Sequence, residues 1–159
     1  METLNILLVE DSPGDVRLVR EALKENSMSV QMTVAHDGVE AMDYLHQAER
    51  GAVSRPDLVL LDLNLPRKNG CEVLAEVKGS PALRQIPVVV MTSSRAEEDV
   101  QKAYQLNANC YITKPTNLPD YVKVVRSLEN FWFMTATLPE TGHSPVRVPM
   151  RPRPEPLRN

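Results

Sequence analysis

Cysteine is almost absent. Two thiols, Cys71 and Cys110, in 159 residues cannot build a disulfide framework. They read as reduced thiols in a reducing compartment, so a cytoplasmic protein is expected. Long apolar runs are missing as well. Nothing approaches the roughly 18 consecutive apolar residues of a membrane-spanning helix, and no charged-then-apolar leader opens the chain. A membrane protein is therefore not expected. Glycine is scarce, with six in all, and no Gly-x-Gly-x-x-Gly follows the first apolar run, which excludes a dinucleotide-binding Rossmann domain. Positive charge is not in excess: 18 Lys and Arg stand against 21 Asp and Glu, a net −3, so nucleic acid is not an expected partner. The three histidines, His36, His46 and His143, are scattered without ligand spacing. Aromatics number seven (one Trp, four Tyr, two Phe), and three of them are consecutive, Phe131-Trp132-Phe133.

What is present is ordinary globular composition, 42% hydrophobic and 25% charged, in a length that suits one domain. Short apolar runs alternate with helical periodicity. The runs are Leu4–Val9, Val30–Ala35, Asp57–Leu61, Val88–Met91 and Cys110–Ile112. Between them, Val16/Val19/Leu23, Val39/Met42/Leu45, Val73/Leu74/Val77 and Val100/Ala103/Tyr104 repeat at helical spacing. A last helix over 118–133 carries Tyr121, Val122, Val125, Leu128 and Trp132 on one stripe. Five strands and five helices in strict alternation mean βαβ units and a parallel sheet. The expected fold is α/β, a five-stranded parallel sheet in a doubly wound, flavodoxin-like (βα)5 arrangement occupying residues 1–133. Residues 134–159 differ. Six of those 26 are Pro, and the segment carries four Arg and two Glu, leaving 14 basic and 19 acidic residues in the body. Such a stretch cannot bury a core and reads as a flexible tail.

Acidic residues stand at two strand ends. Glu10 and Asp11 close the first run and Asp62 closes the third. In open parallel sheets ligands collect in the crevice outside the carboxyl ends of the strands. Two neighbouring strands ending in carboxylates would form an acidic pocket of oxygen ligands, suited to a hard cation such as Mg²⁺. Thr92 ends the fourth run and Lys114 follows the fifth, so the same crevice gathers a hydroxyl and an ammonium. That set suits phosphoryl transfer to Asp62: a metal and Lys114 neutralise phosphoryl oxygens, and Thr92 donates a hydrogen bond to one of them. A phosphatase of the haloacid-dehalogenase type would want a second Asp two residues after the nucleophile, where this chain has Asn64.

At these positions the chain resembles the receiver domain of two-component response regulators. The matching text is Leu7-Leu8-Val9-Glu10-Asp11, Leu60-Leu61-Asp62-Leu63-Asn64-Leu65-Pro66 with Gly70, Val90-Met91-Thr92-Ser93, and Tyr111-Ile112-Thr113-Lys114-Pro115. The resemblance spans about residues 4–132. It implies that Asp62 is the phosphoacceptor, that Asp11 binds Mg²⁺ directly and Glu10 mainly through water, and that the backbone carbonyl of Asn64 completes the protein ligands. It further implies that Thr92 and Tyr111 are the switch pair and Lys114 the phosphate-binding lysine. Glu10 stands where many members have Asp. The stretches Asp62–Gly70, Glu72–Lys78 and Glu129-Asn130-Phe131-Trp132 look like the phytochrome-associated, stand-alone response regulators of cyanobacteria. That narrower likeness implies a light-sensing histidine kinase as the phosphoryl donor.

Three consecutive aromatics cannot all face one core. Val124, Phe131, Trp132 and Phe133 are therefore expected to form an interface, most simply a homodimer through the last helix. The remaining length after Phe133 is too short and too Pro-rich for a helix-turn-helix domain, so the expected output is protein binding or phosphate relay, and the protein is expected to be a signalling switch rather than an enzyme. The competing expectation is a receiver-like interaction module that works without phosphorylation.

Overall fold

The computed structural model describes residues 3–25 and 29–139 of the chain. Residues 140–159, most of the expected tail, lie outside the described residues.

Strands β1 (Leu4–Val9), β2 (Val30–Ala35), β3 (Leu58–Leu61), β4 (Val88–Thr92) and β5 (Cys110–Thr113) alternate with helices α1 (Pro13–Lys24), α2 (Gly38–Glu49), α3 (Gly70–Gly79), α4 (Glu97–Gln105) and α5 (Leu118–Glu129). The strands pair in the order β2-β1-β3-β4-β5, every pair parallel. β1, β3 and β4 are almost wholly buried, which is why their sequences are continuous aliphatic runs rather than alternating ones. Successive side chains point to opposite faces. Leu7, Val9, Val59 and Leu61 pack with residues of α2, α3 and α4 in one core, and Ile6, Leu8, Leu58 and Leu60 pack with residues of α1 and α5 in the other. Each such side chain contributes about 1.5–3 kcal/mol on burial.

Local chemistry sets the helix starts. Ser12, Asp37, Asn69 and Asn117 each accept a hydrogen bond from the backbone N–H three residues on, at the N-caps of α1, α2, α3 and α5. Pro13 and Pro119 occupy first-turn positions, where no hydrogen-bonding N–H is required. The fourth helix departs from this pattern of capping. α4 begins at Glu97 with Ala96 at the cap and no side-chain cap bond, and Thr92 belongs to β4.

The last helix also departs from expectation. After Glu129 it widens into a π-helical segment, Asn130–Thr135, so the expected domain end at 133 falls inside this segment. Its signature is the bond from the Ala136 N–H to the Phe131 carbonyl, 2.6 Å, five residues back. An i→i+5 step delays the apolar stripe by one residue. The buried series is Tyr121, Val125, Leu128 and then Phe133, not Trp132. Phe133 is 5% exposed and part of the core, which corrects its place in the expected interface. Trp132 is half-buried, edge-on to Phe131 with ring centroids 5.0 Å apart. Phe131 and Met134 are exposed and Val124 is half-buried.

Candidate functional site

The sheet order reverses at β1: β2 lies on one side and β3 on the other, so the carboxyl ends of β1 and β3 border the crevice of a doubly wound sheet. Val9 is in register with Leu61, and the Asp62 N–H donates to the Val9 carbonyl (3.0 Å). The next residue of each strand is therefore a carboxylate: Glu10 and Asp62 are held side by side by the ladder itself. Asp11 follows in an exposed position. Glu10, Asp11 and Asp62 each offer one carboxylate oxygen, all within 4.8 Å of one another. This all-oxygen set, with one member open to solvent, fits a hard divalent cation.

Lys114 enters from the far end of β5, where its backbone N–H donates to the Thr92 carbonyl (2.8 Å). Its ammonium meets three carboxylates: Glu10 Oε2 at 2.7 Å, Asp62 Oδ2 at 3.0 Å and Asp15 Oδ2 at 3.0 Å. Asp62 Oδ1 accepts from the backbone N–H of Asn64 (3.2 Å), and Glu10 Oε1 from that of Ser12 (3.1 Å). Burial disfavours the charge on Lys114, yet its bonds to Glu10, Asp62 and Asp15 outweigh that and raise it above the ordinary lysine range. Burial pushes the Glu10 carboxyl up to about 7 against the pull of Lys114.

Thr92 closes β4 with no exposed surface, and its buried hydroxyl has no hydrogen-bond partner among the described residues. Buried polar groups are nearly always bonded, so an unbonded hydroxyl at this strand end is exceptional. Tyr111, on β5, is not in the crevice: its hydroxyl donates to the Ser94 carbonyl in the β4–α4 loop (2.9 Å), and its ring packs against the α2/α3/α4 core. Ser94 in turn donates to Asp99 Oδ2 (2.5 Å), tying that loop to the first turn of α4.

The loop that carries Asn64 is pinned from two sides. Arg67 adopts a left-handed φ of 64° and pairs with Asp37 Oδ2 (3.2 Å), the same carboxylate that caps α2. At Gly38 a Cβ would stand 2.0 Å from the Lys68 carbonyl oxygen, so only glycine lets the β2–α2 turn approach this loop.

The structure thus brings Glu10, Asp11, Asp62 and Lys114 together, with Thr92 beside them and the Asn64 backbone on Asp62. Val124, Phe131, Trp132 and Phe133 lie in the middle of α5 and beyond, away from its first turn. Two residues of the site went unread in the sequence. Asp15 passes for an ordinary first-turn acid of α1, and Tyr121 for a core residue on the α5 stripe. The phenol of Tyr121 donates to Asp15 Oδ1 (3.1 Å), and burial together with the Asp15 charge raises its pKa well above the ordinary range.

Known proteins resemble this chain in sequence and fold. The family model for the response regulator receiver domain matches residues 6–126. Response regulator Rcp1 of Synechocystis sp. is 52% identical over 135 residues, covering 84% of this chain and 92% of that protein. The solved Mn(2+)-bound form of Rcp1 superposes with a TM-score of 0.79 at 51% identity, over 86% of this chain and 99% of the other. The solved phosphorylated cyanobacterial phytochrome response regulator RcpA gives 0.81 at 50% identity, over 87% and 99%. With the parallel five-stranded sheet and the acidic crevice at its switch point, these matches place the chain in the response regulator receiver domain family, a two-component signalling protein whose class implies a histidine kinase partner.

Proposed function

We propose that Asp62 is the phosphoacceptor of a cytoplasmic response regulator that takes its phosphoryl group from a phytochrome-type histidine kinase. The observation that carries the reading is Thr92: a wholly buried hydroxyl without a partner among the described residues, at the strand end beside an Asp–Lys pair. Asp62 Oδ2 attacks the phosphorus of a phosphohistidine, the P–N bond breaks as the O–P bond forms, and the imidazole leaves. Lys114 meets a phosphoryl oxygen, and Thr92 donates to another. Asp11, Asp62 and the Asn64 carbonyl would hold Mg²⁺, with Glu10 acting through water. When bound, the cation neutralises charge on the transferring group. The carboxylate set supports a hard cation, and the Mn(2+)-bound Rcp1 structure supports a divalent one. The likeness to RcpA, described as a phytochrome response regulator, supports the choice of kinase.

Drawing Thr92 inward would open space near Tyr111, release its hydroxyl from the Ser94 carbonyl and free the β4–α4 loop. The face of α4, β5 and α5 then changes what it binds. The exposed Phe131 and Met134, with the half-buried Trp132 and Val124, support a homodimer through α5 and the π-helical segment.

Intact mass after incubation with Mg²⁺ and acetyl phosphate tests the core of this reading. One phosphoryl adduct on the wild type and none on Asp62→Ala is the expected result, with a sizing column reporting the dimer in both states. A folded wild type that takes up no adduct would instead support the phosphorylation-independent interaction module.

A further inference from the structure

We propose that Asp15 is a positioning residue that holds Lys114 at the acceptor and, through the Tyr121 hydroxyl, ties the position of Lys114 to the first turn of α5. The inference rests on Asp62 being the phosphoacceptor and goes beyond it. Asp15 divides its two oxygens: Oδ2 takes the Lys114 ammonium at 3.0 Å and Oδ1 takes the Tyr121 hydroxyl at 3.1 Å. These bonds join three separate parts of the chain: the first turn of α1, the residue after β5 and the first turn of α5. Tyr121 is 1% exposed, so its hydroxyl has no recourse to water if Asp15 moves.

Of the three carboxylates on Lys114, Glu10 and Asp62 close strands of the sheet and belong to the set that offers ligands to a cation. Asp15 is outside that set and sits on a helix. A phosphoryl group on Asp62 replaces the single carboxylate charge by about two on the phosphoryl oxygens, a net gain of about one, and Lys114 must turn toward them. Its bonds to Glu10 and Asp62 are the ones the new oxygens replace. Asp15 then either follows the ammonium or releases it, and both change the acceptor seen by a buried phenol on α5. The site thereby reaches α5 along Lys114–Asp15–Tyr121, separate from the Thr92–Tyr111 route to α4.

The test uses the full chain, ¹⁵N-labelled, with excess acetyl phosphate and Mg²⁺, as wild type, Tyr121→Phe, Asp15→Asn and Asp15→Glu. In the wild type, phosphorylation is expected to shift amide resonances both in the β4–α4 loop (93–96) and in the first turns of α5 (118–124). In Tyr121→Phe the mass adduct on Asp62 and the 93–96 shifts should remain, while the 118–124 shifts fall by half or more. A role confined to packing would leave them intact. Asp15→Asn should slow phosphorylation by roughly three- to tenfold, the scale of the charge assistance lost from a hydrogen bond that Asn can still accept, with little change in half-saturation by acetyl phosphate. Asp15→Glu, which restores the charge, should recover part of the rate. The inference is overturned if α5 shifts in Tyr121→Phe match the wild type, if α5 does not respond in the phosphorylated wild type, or if Asp15→Asn is phosphorylated at the wild-type rate. Absence of any adduct on the wild type is a different result, since it removes the Asp62 reading itself.

Discussion

A Cβ built on Gly70 would stand 2.2 Å from the backbone carbonyl oxygen of Asp62. The first residue of α3 therefore lies against the peptide that presents the acceptor, and the Gly70 N–H donates to the neighbouring Leu63 carbonyl (3.0 Å). Backbone cannot step aside as the tip of a side chain can. Gly70→Ala is expected to lower stability by about 2–3 kcal/mol, the upper part of the overpacking range, and to slow phosphorylation by displacing Asp62. A urea midpoint equal to the wild type's would contradict the close approach.

The orphan hydroxyl of Thr92 leads to an asymmetric expectation. In the unphosphorylated protein a buried hydroxyl without a partner is a cost, so the near-isosteric Thr92→Val should raise stability by about 0.5–2 kcal/mol. The same change should abolish the phosphorylation response of the β4–α4 loop. Urea melts of the magnesium-free protein, set beside amide exchange of residues 93–96 with and without acetyl phosphate, separate the two effects. Lower stability in Thr92→Val would mean that the hydroxyl is already satisfied.

Tyr111 bonds the Ser94 carbonyl, and Tyr111→Phe removes only that oxygen. The expected cost is about 0.5–1.5 kcal/mol, the net worth of one hydrogen bond. Protection against amide exchange should fall in the β4–α4 loop and stay unchanged in β1 and β3. Uniform loss across the sheet would point to packing rather than to the loop bond.

Both thiols are raised by burial above the ordinary cysteine range, Cys71 and Cys110 alike. The thiolate is the reactive form, so its fraction at neutral pH is reduced in the folded chain and grows only as pH climbs past the usual thiol range. Iodoacetamide at pH 8 should modify native protein far more slowly than urea-unfolded protein, and the difference should narrow at higher pH. Equal rates at pH 8 would show that neither thiol is shielded.

The local parts of this molecule were legible before any tertiary contact was known. Aliphatic runs of strand length, Asx and Ser caps, and first-turn prolines act within a few residues, and the structure places β1 to β5 and α1 to α5 close to where those signals lie. Glu10, Asp11, Asp62 and Lys114 were legible too, because a parallel sheet sends every strand's carboxyl end to one side and residues just past strand ends must meet there. What was not legible was tied to geometry that no short window records. Thr92 ends its strand as expected, but nothing local showed that its hydroxyl would be buried without a partner among the described residues. Trp132 fitted a 3.6-residue stripe, and one π-helical step gave its place to Phe133.

The sequence by itself determined the alternation of elements, their caps and the acidic strand ends, since each follows from side-chain chemistry acting on adjacent backbone. Only the tertiary structure decided that Asp15 and Tyr121 join Lys114, that Tyr111 holds the Ser94 carbonyl, and which of three neighbouring aromatics enters the core. Those outcomes depend on where α1, β5 and α5 come to rest against one sheet, and a pair separated by 99 residues, such as Asp15 and Lys114, meets only once the whole domain has closed.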